Sequence, residues 1–355
     1  MLLGAAGFRL PHEEERVILD ADIHVTTDTI ANLRPWLAER YQYRERFLNG
    51  DEFDRQLGDT LGKHGLSPAD HLADMKQEGI DVQVLFPTGL LNLGSVREAE
   101  LATALAHAYN EWLHEFCQAA PHAFKGVAVV ALQDVPGAIR EMTRAVTDRG
   151  MIAVMVSSFV HPGKDLGGRE LDDFYAEAQR LGIPVAVHRV SGTGAVGFDR
   201  FTNFSALHAC VPMFELATAV SNMVIGGVFE RFPSLKVAFL EAGVGWVPWL
   251  VENLDEHCKL RAPEVPYLKA LPSEYLSSGR AFFSFEPDEH QVPEVAELLG
   301  DQSLLFSSDY PHWDSPFPNS VRIVRERQDM SDALKQRVLC DNVAACYGIA
   351  AEIPA

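Results

Sequence analysis

Basic residues are in short supply: 30 Lys plus Arg stand against 50 Asp plus Glu, a formal charge of −20 with histidine neutral. So acidic a surface argues against a nucleic-acid backbone or an anionic membrane as the main partner. An anionic small molecule stays possible, because a pocket can carry its own cations. Cysteine is scarce as well. The five cysteines, at 117, 210, 258, 340 and 346, are widely scattered and form no CxxC pair. Such an odd, dispersed set points to buried thiols in a reduced, cytoplasmic protein and not to a disulfide scaffold. No apolar run reaches the ~18 residues of a membrane helix. Residues 1–8 are apolar, but the stretch is short, has no basic start and runs into Pro11 and Glu13 to Glu15, so a signal peptide is not expected. A chain that is 47% hydrophobic and 23% charged can bury a core, which sets disorder aside.

What the chain does have is a rhythm. Short β-rich runs at 17–24, 81–86, 125–131, 151–156, 183–189, 235–241, 280–285 and 303–308 alternate with segments of helical period. Runs such as VQVLF, IAVMV and VAFL are apolar on both faces, as parallel strands covered on both sides must be. Helices are expected over 97–117, 136–147 and 171–181, the second with Pro136 in its first turn and the third ending before Gly182. Eight strand–helix units, with no GxGxxG turn after the first strand, predict a (β/α)8 TIM barrel over a doubly wound sheet. The whole of 1–355 is expected to be one barrel domain with insertions after strands one and five, at about 26–70 and 191–212. The first insertion holds LRPWLAERYQYRERF, which has the look of an amphipathic basic-and-aromatic helix. The second begins glycine-rich. Both would rise on the face where a barrel carries its chemistry.

The strand ends are therefore the places to look for reactive groups. Strand one ends in Asp20-Ala21-Asp22-Ile23-His24, and a period of two puts Asp20, Asp22 and His24 on one face. Strand five ends in His188-Arg189, strand six in Glu241, and strand eight in Asp309-Tyr310-Pro311-His312-Trp313-Asp314. Imidazoles and hard oxygens from several strands suit a divalent ion such as Zn, Mn or Fe.

These residues carry a resemblance. The segments DADIH, MKQEGIDVQVLFPT, PVAVH, GGVFERFPSLKVAFLEAGVGWVPWLVENLDEH, FSSDYPH and DNVAACYGI span nearly the whole chain in order. Together they resemble the amidohydrolase superfamily, in the branch of aminocarboxymuconate-semialdehyde decarboxylase and related aromatic-acid decarboxylases and lactone hydrolases. The resemblance implies Asp22, His24, His188 and Asp309 as metal ligands. It also shows two departures. Many members have His, and some decarboxylases Glu, where this chain has Asp22; a carboxylate there favours Mn or Fe over Zn. The semialdehyde decarboxylase has a histidine near the end of strand six, where this chain has Glu241. Glu241 could serve as a base, a partner of a ligand histidine or a further ligand.

Other candidates stand beside these. Asp309 could relay a proton as well as ligate, with Glu241 or His208 making the second transfer. Arg189 follows a ligand, so alternation turns it away from the mouth into a structural ion pair. His312 lines the mouth or only packs the Tyr310-Pro311 turn, and Phe86-Pro87-Thr88 forms an apolar wall. Trp246 and Trp249, three apart, share a helix side as core or subunit interface. His64, His71, His107, His114, His122, His257 and His290 fall away from strand ends, on the surface or in the core.

The expected activity is a metal-dependent lyase (decarboxylase) or hydrolase acting on a small carboxylated substrate. Two imidazoles with three carboxylates also fit a dinuclear iron or iron–manganese oxygenase with a second metal ion, and a non-catalytic barrel partnering an active paralogue is the third possibility. The apolar and aromatic stretch 226–257 implies a buried face, hence a homodimer or a complex with a paralogous chain.

Overall fold

The computed structural model describes residues 17–26, 30–42, 65–190 and 194–350. Eight strands lie in one sheet in chain order: β1 (Leu19–Val25), β2 (Val82–Pro87), β3 (Phe124–Val129), β4 (Ala153–Ser157), β5 (Val185–His188), β6 (Val237–Leu240), β7 (Ala281–Phe285) and β8 (Leu304–Phe306). Every neighbouring pair is parallel. The helices α1 (Pro68–Glu78), α2 (Ala99–Cys117), α3 (Val135–Arg149), α4 (Asp172–Leu181), α5 (Phe204–Ile225), α6 (Val247–Leu260), α7 (Val292–Leu299) and α8 (Ser320–Glu326) follow strands one to eight in turn. This is a (β/α)8 barrel, and each expected strand is present.

Local chemistry explains the helix bounds. Ser67 caps α1 by accepting the Asp70 N–H, Asp134 caps α3 through Gly137, and Asn203 caps α5 through Ala206. α4 stops at Gly182, whose φ of +72° only glycine adopts without strain. All residues of β1, β2 and β4 to β8 are buried, and Phe86, Phe239, Phe283, Phe285 and Phe306 are among the largest fully enclosed side chains. A side-chain-filled interior of this kind has no pore, so the reactive groups are confined to the strand ends.

The seam between β8 and β1 joins through isolated bonds. The His24 N–H donates to the Tyr310 carbonyl at 2.8 Å, the Ser307 hydroxyl to the Asp22 carbonyl at 3.3 Å, and the Ser308 N–H to Asp20 Oδ1 at 3.1 Å. From outside, the buried Tyr347 hydroxyl donates to the Ala21 carbonyl at 3.0 Å. Closure thus runs through the segments that carry Asp22, His24 and Asp309.

Several expectations need correction. The stretch LRPWLAERYQYRERF is no continuous helix. One helical turn (Ile30–Leu33) passes into 3-10 turns at Arg34–Trp36 and Glu39–Tyr41, separated by an extended Leu37, and residues 43–47 lie outside the described residues. Pro35 supplies no N–H and disfavours α geometry before it, which ends the helix there. The loop after β5 ends at Asn203, not at Pro212, because the Asn203 cap starts α5 nine residues earlier and Pro212 sits within it. His208 is consequently on a helix. Trp246 precedes α6 as its cap residue, and with Trp249 it lines one groove, so the two tryptophans share a side as expected. Against the expectation of no membrane-length apolar run, α5 alone among the described residues is long and apolar enough to cross a membrane, with mean hydropathy 1.3. In this fold α5 follows β5 as one of the barrel's helices, and its Glu215 is buried on the Ser158 hydroxyl at 2.8 Å.

The Tyr347 bond is the simplest test of the seam. Tyr347→Phe should lower stability by about 1–2 kcal/mol, the cost of an unmet buried acceptor. Urea denaturation followed by circular dichroism would measure this, and no change would show that the seam does not depend on it.

Candidate metal centre

At the mouth of the barrel β1 ends in residues of alternating direction. Asp20, Asp22 and His24 are all fully buried, with a register shift between Asp20 and Ile23. Asp20 lies deeper, accepting the Ser308 N–H, and burial holds its carboxyl well above the usual range. Asp22 and His24 meet His188 from β5. Asp22 Oδ1 is 3.5 Å from His24 Nε2, and Asp22 Oδ2 is 3.6 Å from His188 Nε2. Glu241 completes the group, its Oε2 3.0 Å from His188 Nε2 and 3.4 Å from His24 Nε2. Asp309 stands beside it with Oδ1 3.3 Å from His24 Nε2.

Each imidazole is oriented by its other nitrogen. His24 Nδ1 donates to the Pro87 carbonyl at 2.7 Å and His188 Nδ1 to the Arg189 carbonyl at 3.2 Å, which leaves both Nε2 atoms facing inward. Phe86 packs under both rings, with centroids 6.5 Å and 5.6 Å away. Glu241 and Asp309 are the two non-glycine residues with positive φ, +63° and +53°, among the described residues. A left-handed backbone costs an ordinary side chain ~1–2 kcal/mol, so it persists only where surroundings enforce it. The Ser284 hydroxyl accepts the Glu241 N–H at 2.9 Å, and the Trp246 indole donates to the Ala242 and Gly243 carbonyls at 3.0 and 2.9 Å.

Both Asp22 oxygens, the Nε2 atoms of His24 and His188, and Glu241 Oε2 are buried without a well-directed hydrogen bond. Orphaned acceptors of this kind are costly unless a cation satisfies them. One ligand atom from each of Asp22, His24, His188 and Glu241, and likewise from His24, Glu241, Asp309 and His312, lies within 4.8 Å of the others. The residues present fit a divalent metal ion.

Comparison with known proteins agrees with this geometry. The family model described as amidohydrolase matches residues 19–349. The chain belongs to the amidohydrolase family. It is 24% identical over 347 residues to 2-amino-3-carboxymuconate-6-semialdehyde decarboxylase of Dictyostelium discoideum, covering 93% of this chain and 92% of that protein. Its fold is similar to that of 5-carboxyvanillate decarboxylase from Sphingomonas paucimobilis, with TM-score 0.77, 20% identity, and coverage of 94% and 99%. It is also similar to a dihydroxybenzoic acid decarboxylase from Polaromonas sp. JS666 solved with manganese and 2-nitroresorcinol, with TM-score 0.71, 17% identity, and coverage of 94% and 96%. This amidohydrolase-family chain is a metal-dependent enzyme of the decarboxylase or hydrolase kind, as expected from its motifs.

One residue was placed differently by sequence. Arg189 does not turn away: its guanidinium donates to Glu241 Oε1 and lies 3.1 Å from His208 Nε2. The strand ends at His188, so alternation no longer governs the next side chain. His312 is part of the amidohydrolase centre, with Nδ1 2.8 Å from Asp309 Oδ1, Nε2 3.3 Å from Thr88 Oγ1, and its ring stacked on His24 at 4.1 Å. His208 sits at the rim, packed on Phe204 and Trp313, with Nδ1 3.8 Å from Asp314. His71 is a core residue bonded to Gln83, and His64 lies outside the described residues.

The charges oppose one another. Burial alone would push His188 down, but Asp22 and then Glu241 outweigh it and lift the imidazole to about 10. Burial pushes Glu241 up, yet Arg189 and His188 hold it well below the carboxylate range. Burial, then the charge of Glu241, raises Asp309 well above its ordinary value. In the metal-free protein, the His188 contribution to stability is therefore complete below pH 6.5 and fades as pH rises through about 10. A metal ion must displace that proton. Manganese uptake near neutral pH should release about one proton, seen as a calorimetric enthalpy that varies with buffer. His188→Ala should abolish this release while circular dichroism stays native; a buffer-independent enthalpy in the parent protein would refute it.

Proposed function

We propose that the protein is a decarboxylase using a single divalent ion on a small, planar carboxylic acid. The observation that carries this is the convergence of two imidazole nitrogens and several carboxylate oxygens at a buried point that no protein donor satisfies. Asp22, His24, His188 and Asp309 would hold the ion, with Glu241 as a further ligand. Such an oxygen-rich set suits Mn or Fe better than Zn. The bound ion would supply Lewis acidity, polarising a substrate chelated through its carboxylate and a neighbouring oxygen.

The chain's own residues would do the rest. Loss of carbon dioxide leaves an electron pair on carbon, which a proton must take up. Asp309, with Oδ1 2.8 Å from His312 Nδ1, is the group suited to relay it while it ligates. Glu241 is a poor acid because the Arg189 guanidinium beside it holds it ionised. His208 receives the Arg189 N–H and is itself lowered by burial, so its part is to shape the rim. Phe204, His208 and Trp313 pack together there, with ring centroids 5.2 to 6.0 Å apart, and offer faces to a flat substrate. The decarboxylase relatives that act on aromatic or unsaturated acids support this substrate class.

A second reading, a two-ion oxygenase, has one observation in its favour: Glu241 adds a third carboxylate and belongs to both overlapping ligand groups. Against it, both groups also share His24, whose inward nitrogen has a single lone pair. Elemental analysis separates the readings. One ion per chain supports decarboxylation, two redox-active ions the oxygenase, and none a barrel that only partners an active paralogue. With one ion bound, the enzyme should release carbon dioxide from members of a hydroxybenzoate and unsaturated-acid panel. His188→Ala should lose more than ~100-fold of that activity, beyond the cost of losing an outer partner.

The same reading includes a homodimer. A groove of about 640 Å³ between α5 and α6 is lined by Met213, Phe214, Ala217, Trp246, Trp249 and Leu250, and Trp249 is 62% exposed. Along α5 the one carboxylate, Glu215, points inward, so the outward face carries no acid in a chain of charge −20. Such a patch favours a second copy of the chain. A cytoplasmic site of action belongs to the same reading, supported by five free cysteines, four of them buried. Light scattering should give about twice 39.2 kDa, and Trp249→Glu should shift the mass towards the monomer. A parent mass near 39.2 kDa at micromolar concentration would refute the dimer.

A further inference from the structure

We propose that Arg189 is a positioning residue that occupies one oxygen of Glu241 and thereby limits the centre to one divalent ion. The inference rests on the one-ion reading above and concerns why a site with this many carboxylates stops at one.

Arg189 acts on two ligands at once. Its backbone carbonyl receives His188 Nδ1–H at 3.2 Å, which turns the Nε2 lone pair inward. Its guanidinium, 10% exposed, donates to Oε1 of Glu241, itself 7% exposed. Only Oε2 of Glu241 then faces His24 and His188. The side chain is held from the far side as well. The same Nη2 lies 3.1 Å from His208 Nε2, and since a guanidinium cannot accept, that nitrogen is the acceptor. The His208 Nδ1 proton then points towards Asp314, 3.8 Å away. The chain Asp314–His208–Arg189–Glu241 links the rim to a ligand.

Charge gives the second argument. The carboxylates of Asp22, Glu241 and Asp309 face the centre together with two imidazoles. Their three negative charges are balanced by one divalent ion plus one guanidinium. In a buried site an unbalanced charge is expensive, so neutrality decides how many cations remain. Take away the guanidinium and the site is left with one negative charge too many and a freed Glu241 Oε1, so that a second divalent ion accompanied by one hydroxide would restore neutrality. Arg189 thus stands where a second cation would otherwise be drawn in.

The test is manganese titration of the metal-stripped, full-length protein, with stoichiometry from calorimetry and elemental analysis and ion coupling from electron paramagnetic resonance. The parent protein and Arg189→Lys, which keeps the charge, should bind one ion per chain with an uncoupled spectrum. Arg189→Met and the polar, neutral Arg189→Gln should take up a second ion and show manganese–manganese coupling. Glu241→Gln, leaving the guanidinium unbalanced, should bind the single ion at least ~10-fold more weakly, and adding Arg189→Met to it should restore affinity. Two neutral variants are carried so that one misfolded protein, seen by circular dichroism, does not decide the matter. If both neutral variants bind one ion with parental affinity and spectrum, Arg189 is an outlying ion pair and the proposal is overturned. A parent protein that binds two ions overturns it too. A parent that binds none instead defeats the metal-dependent reading on which it rests.

Discussion

The structure is organised around an electrostatic conflict. Asp22, Glu241 and Asp309 each bring a carboxylate oxygen within 3.5 Å of His24 Nε2 inside a barrel mouth largely closed to solvent. Left alone, such a cluster would protonate or push apart, because burial disfavours every ionised form. Two imidazole nitrogens are aimed at the same point, and once a cation displaces the His188 proton both would offer it lone pairs. The arrangement makes sense as a cradle for a cation, and the surrounding elements can be understood as the means of holding it together without one.

Those means are mostly backbone. Glu241 and Asp309 are held in left-handed conformations just beyond the last residues of β6 and β8. Ser284 from β7 and the Trp246 indole brace the first, and His312 and the seam bond from His24 to Tyr310 brace the second. The barrel seam and the candidate metal centre share residues, so closing the barrel also brings these side chains together. The strain stored at Glu241 and Asp309 is offset by this shared network, and that is why ordinary side chains can occupy conformations that glycine usually takes.

The helix α5 links the centre to the outside of the molecule. Its inner face carries Glu215, which bonds Ser158 and the Val196 N–H and so ties down the middle of the loop after β5. Its first turns place Phe204 and His208 at the rim, and His208 steadies Arg189. Its outer face forms one wall of the apolar groove whose other wall includes Trp246, the residue that braces the turn after Glu241. A subunit packed in that groove would therefore bear on the backbone that positions a ligand.

Strand-level features were written in local order and so could be derived from the sequence alone. The eight strands came from apolar runs, and the common face of Asp22 and His24 came from a period of two, because alternation is a property of neighbouring residues. His188 and Asp309 followed from their places at strand ends, with family resemblance naming them as ligands. What happens after a strand stops is not local. Arg189 escaped the alternation rule because β5 ends one residue before it, and its partner Glu241 is 52 residues further along. The true start of α5 depended on a single capping side chain, Asn203, against the pull of a downstream proline. The roles of Glu241 and His312 depended on φ angles and stacking partners supplied by distant strands. Local order in the chain sets the scaffold and the kinds of atoms brought to its mouth; which of them face one another follows from long-range packing, because direction at a strand end is set by contacts and not by periodicity.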